Sequence, residues 1–193
     1  MSTMPAEKLY SYADLLEWDD GKRYELYDGE PVAMASPTDV HQEISVELSA
    51  QFHTYLRGKK CKVYAAPFDV RLFEKMGDRP ENVRYVVQPD LLVVCDPNKI
   101  DRRGVHGAPE LVIEILSEST RRTDRLKKLN LYRRAGVQEY WIVDPEDRVL
   151  SVHTLTEDGQ YTISAYEPGD MAPVSVLDDC EIDLAAVFPE TAV

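Results

Sequence analysis

The period of the apolar positions changes along the chain, and each change predicts an element. Residues 10–20 (YSYADLLEWDD) read as a short helix running into Gly21. Within Arg23 to Ala35, YELYDGEPVAM reads as a strand pair with Asp28-Gly29 as its turn. Ser36-Pro37-Thr38-Asp39 then offers helix-start chemistry, and Val40, Ile44, Leu48, Phe52 and Tyr55 follow at helical spacing until Gly58. Lys62 to Phe73 alternates in part, with Pro67 marking a bulge or an edge position. Arg84 to Cys95 contains the apolar run YVVQPDLLVVC, and ELVIEIL (110–116) is nearly continuous, as in a strand buried on both faces. A basic helix with Leu126, Leu129 and Tyr132 as its apolar stripe closes at Ala135-Gly136, before the strand VQEYWIVD (137–144). Val149–Leu155 and Tyr161–Tyr166 form a hairpin through Asp158-Gly159, and a short helix near Ile182–Val187 finishes the chain.

Helices interleaved with strands indicate an α/β (α+β) fold: a mixed central sheet flanked by helices, with an N-terminal strand pair and a C-terminal hairpin. The 193 residues suit a single domain, with a core over 20–145 and an acidic extension over 146–193. No stretch reaches the roughly 18 apolar residues of a membrane-spanning helix. Met1 to Lys8 does not resemble a signal peptide. Cys61, Cys95 and Cys180 are odd in number and far apart in sequence, which argues against a disulfide framework or a structural zinc site. Together these point to a cytoplasmic protein.

Charge refines this picture by region. The net charge is −13, yet residues 145–193 hold 11 acids against Arg148 alone, so most of the acidity belongs to the tail. Ser119 to Ala135 instead carries Arg121, Arg122, Arg125, Lys127, Lys128, Arg133 and Arg134 against the single acid Asp124. That segment is either a solvated helix face or a surface open to a polyanion, with Arg121, Arg122, Arg125 and Lys127 as candidate nucleic-acid contacts.

Two acids fall where strand logic would not put them. Asp90 interrupts an apolar run after Pro89, and Glu114 is the only charge between Leu111 and Leu116. A buried carboxylate is costly unless it is paired or holds a metal. Two on neighbouring strands make a hard oxygen site suited to Mg²⁺ or Mn²⁺. Lys128 lies four residues after Asp124, which reads as its partner on the same helix face, and flanks Tyr132 at the helix–sheet boundary. There it could stabilise charge on a transferring phosphate. The bland alternatives are a Pro-Asp turn for Asp90 and an ion pair to an arginine for Glu114.

The ordered set YELYDGE (24–30), His41-Gln42, Pro89-Asp90, PELVIEILSEST (109–120), Asp124-x-x-x-Lys128, Tyr132 and AGVQEYWIVDP (135–145) resembles the Uma-two family of restriction endonuclease-like proteins over roughly residues 20–190. The resemblance implies the PD-(D/E)XK nuclease fold, with Asp90 and Glu114 as metal carboxylates and the backbone carbonyl of Ile115 as a further ligand. The superfamily lysine would stand at position 116, which is Leu here, and Lys128 is the matching position in this family. Where relatives read Ser-Pro-Ser-Thr, this chain has Ser117-Glu118-Ser119-Thr120, adding a negative charge beside the site.

His41, in the first turn of the first long helix, is included in the resemblance and is either a site residue or a partly buried histidine satisfied by hydrogen bonds. Glu25 either contributes to the site from the first strand or pairs with Lys22 or Arg23. His53, His106 and His153 have no ligand-like spacing. The implied activity is metal-dependent hydrolysis of phosphodiester bonds in DNA, by a monomer or a homodimer. The alternatives are an inactive nuclease fold used for binding or assembly, and a hydrolase of a smaller phosphoester.

Overall fold

Residues 8–117 and 124–188 are described by a computed structural model, with the backbone alone considered at 124 and 125. Helix α1 (Tyr12–Glu17) is started by a capping box between Ser11 and Asp14. Strands β1 (Tyr24–Tyr27) and β2 (Glu30–Ala33) form the expected hairpin. Both turn residues take positive φ, 54° at Asp28 and 83° at Gly29. Glycine is required at 29 because a Cβ there would lie 2.8 Å from the Tyr10 carbonyl oxygen.

Helix α2 (Asp39–Leu56) is capped by the Thr38 hydroxyl. Its buried face is His41, Ile44, Leu48, Phe52 and Leu56, whereas Val40 is exposed. The helical turn explains the shift: His41 lies about 20° around the axis from Leu48, and Val40 about 80°.

After β3 (Lys62–Ala65) come β4 (Val70–Arg71), β5 (Val86–Val87), β6 (Leu91–Val94), β7 (Ile100–Asp101), β8 (Gly104–His106) and β9 (Leu111–Ile115). Helix α3 (Asp124–Ala135), β10 (Glu139–Asp144), the hairpin β11 (Val149–Leu155) and β12 (Tyr161–Tyr166), the pair β13 (Met171–Pro173) and β14 (Glu181–Asp183), and α4 (Leu184–Val187) complete the order.

The strands divide into two mixed six-stranded sheets, β2-β1-β5-β4-β8-β7 and β12-β11-β10-β9-β6-β3, with β13-β14 apart. The apolar run 85–95 contributes to both, because it breaks at Gln88-Pro89-Asp90: β5 joins the first sheet and β6 the second. Proline has no N–H to give a ladder, so the chain leaves one sheet there and enters the other.

The second sheet is covered on both faces. Leu91, Val93, Leu111, Ile113 and Trp141 pack with α2 and with Ala172, Val174, Leu177, Ile182, Leu184 and Phe188 from the acidic tail. Leu92, Val112, Leu116, Tyr140 and Ile142 pack with Leu131 and Tyr132 of α3 and with Val70, Val87 and Val105 of the first sheet. The stripe of α3 differs from expectation: Leu126 is exposed, while Lys128, Leu131 and Tyr132 are buried. Leu126 lies about 120° around the axis from Tyr132, outside the face that meets the sheets.

One expectation is overturned. Cys61 and Cys95 form a disulfide and only Cys180 is free. Antiparallel pairing of Lys62 with Val94 brings the flanking cysteines face to face, which their separation of 34 residues conceals. Cysteine usage therefore gives no support to a reducing compartment. Among the described residues no helix is long and apolar enough to cross a membrane.

The tail's apolar side chains share the core of α2 and the second sheet. Ile182→Ala is therefore expected to cost about 2–4 kcal/mol, as much as Ile44→Ala in α2. Urea unfolding measures both; a loss below about 1 kcal/mol at Ile182 alone would show the tail to be dispensable.

Candidate active site

The break at Pro89-Asp90 and the register of β6 with β9 bring the two carboxylates together. Leu91 pairs with Ile113 and Leu92 with Val112. Carried one residue further, the same register sets Asp90 opposite Glu114. Side chains alternate along a strand, so both acids share the face of Leu92 and Val112, towards α3 and the first sheet.

Asp90 is anchored on one oxygen. Its Oδ2 accepts the Ile115 N–H at 2.7 Å and lies 3.2 Å from Nε2 of His41. Glu114 is 8% exposed, and its Oε1 accepts from the Tyr132 hydroxyl at 2.6 Å and from Lys128 Nζ at 3.0 Å. Lys128 also donates to Glu25 Oε1 at 3.2 Å. Glu25 comes from β1 of the other sheet, and its Oε1 further accepts the Gln88 N–H at 2.9 Å while Oε2 accepts the Tyr27 hydroxyl at 2.6 Å.

The structure thus gathers Asp90, Glu114, Lys128, His41 and Glu25 into one cluster. Among the described residues both Glu25 and Glu114 pair with Lys128, so the partner of Glu25 is Lys128 rather than Lys22 or Arg23. The Asp124 side chain, expected to pair with Lys128, lies outside the described residues, as do Arg121 and Arg122 and the side chain of Arg125. Lys127 is exposed on α3. His106 binds the Asn98 carbonyl and His153 stacks on Tyr140, both outside this cluster.

Three members escaped the reading of the sequence. Tyr132 passed for a packing residue, although its place four positions after Lys128 puts both on one helix face. Tyr27 lies two residues after Glu25, hence on the same strand face. Gln88 is the polar residue just before Pro89-Asp90, a signal that was present but weak.

Burial and the neighbouring charges together set the protonation equilibria of the cluster. Burial pushes Glu114 up to about 7; Lys128 opposes the rise, while Asp90 and Glu25 add to it. Burial works against the Lys128 ammonium, but Glu114, then Glu25, outweigh it and hold its pKa well above the ordinary lysine value. Burial also works against a charged His41, and the hydrogen bond and charge of Asp90 outweigh it, so the His41 pKa is raised. Nδ1 of His41 is buried without a hydrogen-bond partner among the described residues.

Residues 12–185 match the model of the Uma2 family, described as "Putative restriction endonuclease". An uncharacterized protein of Synechocystis sp. (strain PCC 6803) is 30% identical over 171 residues, covering 86% of this chain and 84% of that protein. The chain's fold is also that of a solved protein from Anabaena variabilis, described as a "putative nuclease belonging to DUF820". The two agree with a TM-score of 0.72 at 18% identity, over 92% of this chain and 97% of that one.

A carboxyl group whose folded-state pKa is raised favours folding below its unfolded value and loses that contribution as pH rises through the folded value. For Glu114 the window runs from 4.5 to about 7. In metal-free protein, Glu114→Gln keeps an acceptor for Tyr132 and removes this loss. Its stability relative to wild type is expected to improve by about 1–3 kcal/mol between pH 5 and pH 8. Parallel thermal melts at the two pH values check this, and a difference that stays flat with pH would contradict it.

Proposed function

The chain belongs to the Uma2 family, and from that premise we propose that it is a divalent-metal-dependent endonuclease hydrolysing phosphodiester bonds in DNA. The observation that carries the reading is Asp90, one residue before β6, accepting the Ile115 N–H next to Glu114 on β9, with the Lys128 ammonium on Glu114. The donor set suits a hard cation. Among the described residues Glu25, Asp90 and Glu114 face one lysine and one histidine, and a divalent cation would favour the ionised form of Glu114, whose pKa burial, then Asp90 and Glu25, raise. Asp90 Oδ1 and Glu114 Oε2 accept no hydrogen bond from the described residues. No group of three His, Cys, Asp or Glu side chains among the described residues forms a ready cage. A cation here would complete its shell with water and substrate oxygens.

Asp90 and Glu114, with the Ile115 carbonyl, would hold Mg²⁺ or Mn²⁺, which when bound supplies Lewis-acid polarisation of a phosphate oxygen and a lowered water pKa. Lys128 offsets the negative charge that develops on the phosphate in the transition state. His41 orients Asp90 through Oδ2, and Tyr132 orients Glu114 through Oε1, the oxygen it shares with Lys128. Lys127, exposed on α3, would meet the DNA backbone, together with Arg121, Arg122 and Arg125, which stand near it in the sequence. A second reading, a nuclease fold used for binding or assembly without cleavage, is favoured by one observation. The 11 acids of residues 145–193 oppose a polyanion.

Incubation of supercoiled plasmid with Mg²⁺ or Mn²⁺ separates the two readings. Nicking is expected from the wild type, with Asp90→Asn and Lys128→Met each slower by a factor of about 100 or more. Chelation should abolish it. A folded protein that leaves the plasmid intact with either metal favours the second reading.

Binding to DNA should weaken steeply with salt, because phosphate contacts release counterions. Lys127→Ala is expected to reduce the slope of log K against log salt by about 1 without changing the melting temperature. An unchanged slope would remove this side of α3 from the interface.

A further inference from the structure

Both oxygens of Glu25 are engaged by the protein, and the residue is buried. Oε1 accepts from both the Gln88 N–H and Lys128, Oε2 accepts from Tyr27, and the residue is 4% exposed. Lys128, by contrast, is shared between two carboxylates from two different sheets, Glu114 on β9 and Glu25 on β1. A cation taken up by Glu114 would oppose the hold of that residue on the buried ammonium. Lys128 would then depend on its other partner, since a buried charge without one is strongly disfavoured.

We infer that Glu25 is a positioning residue: it keeps Lys128 in the site while Glu114 engages a divalent cation, and it does so without touching that cation. The inference rests on the reading of Asp90 and Glu114 as cation-binding carboxylates. Gln88 and Tyr27 fix Glu25 in turn, so the first sheet sets where the lysine of α3 stands. With Glu25 removed, Lys128 has only Glu114 among its described partners and competes with the cation for it.

Calorimetric Mn²⁺ binding to the wild type, Glu25→Gln, Lys128→Met and the double variant tests this without any cleavage assay. Glu25→Gln is expected to weaken Mn²⁺ binding about tenfold, as loss of an outer hydrogen-bonding partner does at metal sites. In the Lys128→Met background the same change should alter affinity by less than about twofold, and Glu25→Asp should recover part of the loss. An equal loss in both backgrounds overturns the inference, since Glu25 would then act on the cation directly. Undiminished Mn²⁺ binding by Glu25→Gln in the presence of Lys128 overturns it as well.

Asp90→Ala, measured alongside, separates the two levels of the reading. Undiminished Mn²⁺ binding by that variant removes the cation site and this inference with it. Abolished binding, together with a Glu25 effect independent of Lys128, removes the inference alone. Should Glu25→Gln fail to fold, Tyr27→Phe deletes one of the hydrogen bonds fixing Glu25 and carries the same cycle, with an expected loss of about threefold.

Discussion

The burial of one ammonium between two carboxylates organises this molecule. Lys128 sits 3.0 Å from Glu114 and 3.2 Å from Glu25, and those acids belong to different sheets. A lysine with this little water around it is tolerated only when paired, so α3 and the two sheets must meet in one arrangement to satisfy it. Around that point the helix contributes Tyr132 to Glu114, the first sheet contributes Tyr27 and Gln88 to Glu25, and the second sheet contributes Asp90. Such an assembly is costly in isolation. It persists because the apolar cluster of Val87, Val105, Leu92, Val112 and Leu131 closes the space beside it.

Among its described residues the site carries more negative charge than its cations neutralise. Three carboxylates among the described residues approach one lysine and one histidine, and the rise of Glu114 to about 7 follows from burial together with Asp90 and Glu25. In the proposed reading a divalent cation would relieve this charge, so the same carboxylates that lower stability would serve function. The tail contributes differently. Its described acids face water, while Ala172, Ile182, Leu184 and Phe188 are built into the core beneath α2. A segment that looks like an appendage by charge is part of the packing by burial.

The elements that sequence reading located well were those with strong local signals. The hairpin at Asp28-Gly29, helix α2 and the strands around ELVIEIL and EYWIVD stand where their turn residues and periods put them. Errors arose where the signal was rotational or non-local. Val40 and Leu126 are apolar at helical spacing but point away from the buried faces of α2 and α3. The Cys61–Cys95 pairing depends on the alignment of β3 with β6, which no local pattern encodes.

By itself the sequence determined which residues were chemically out of place: an aspartate after proline in an apolar run, a glutamate alone in a buried strand, and a lysine on the helix that follows. Those are local facts, since a charge among apolar neighbours is legible without coordinates. Only the tertiary structure decided their partners. The choice of Glu25 for Lys128, Ile115 for Asp90 and Tyr132 for Glu114 follows from the break at Pro89 that sends one apolar run into two sheets. Strand register and the rotation of α3 are set by packing across the whole domain, and contacts between residues 25 and 128 lie beyond the reach of any local pattern.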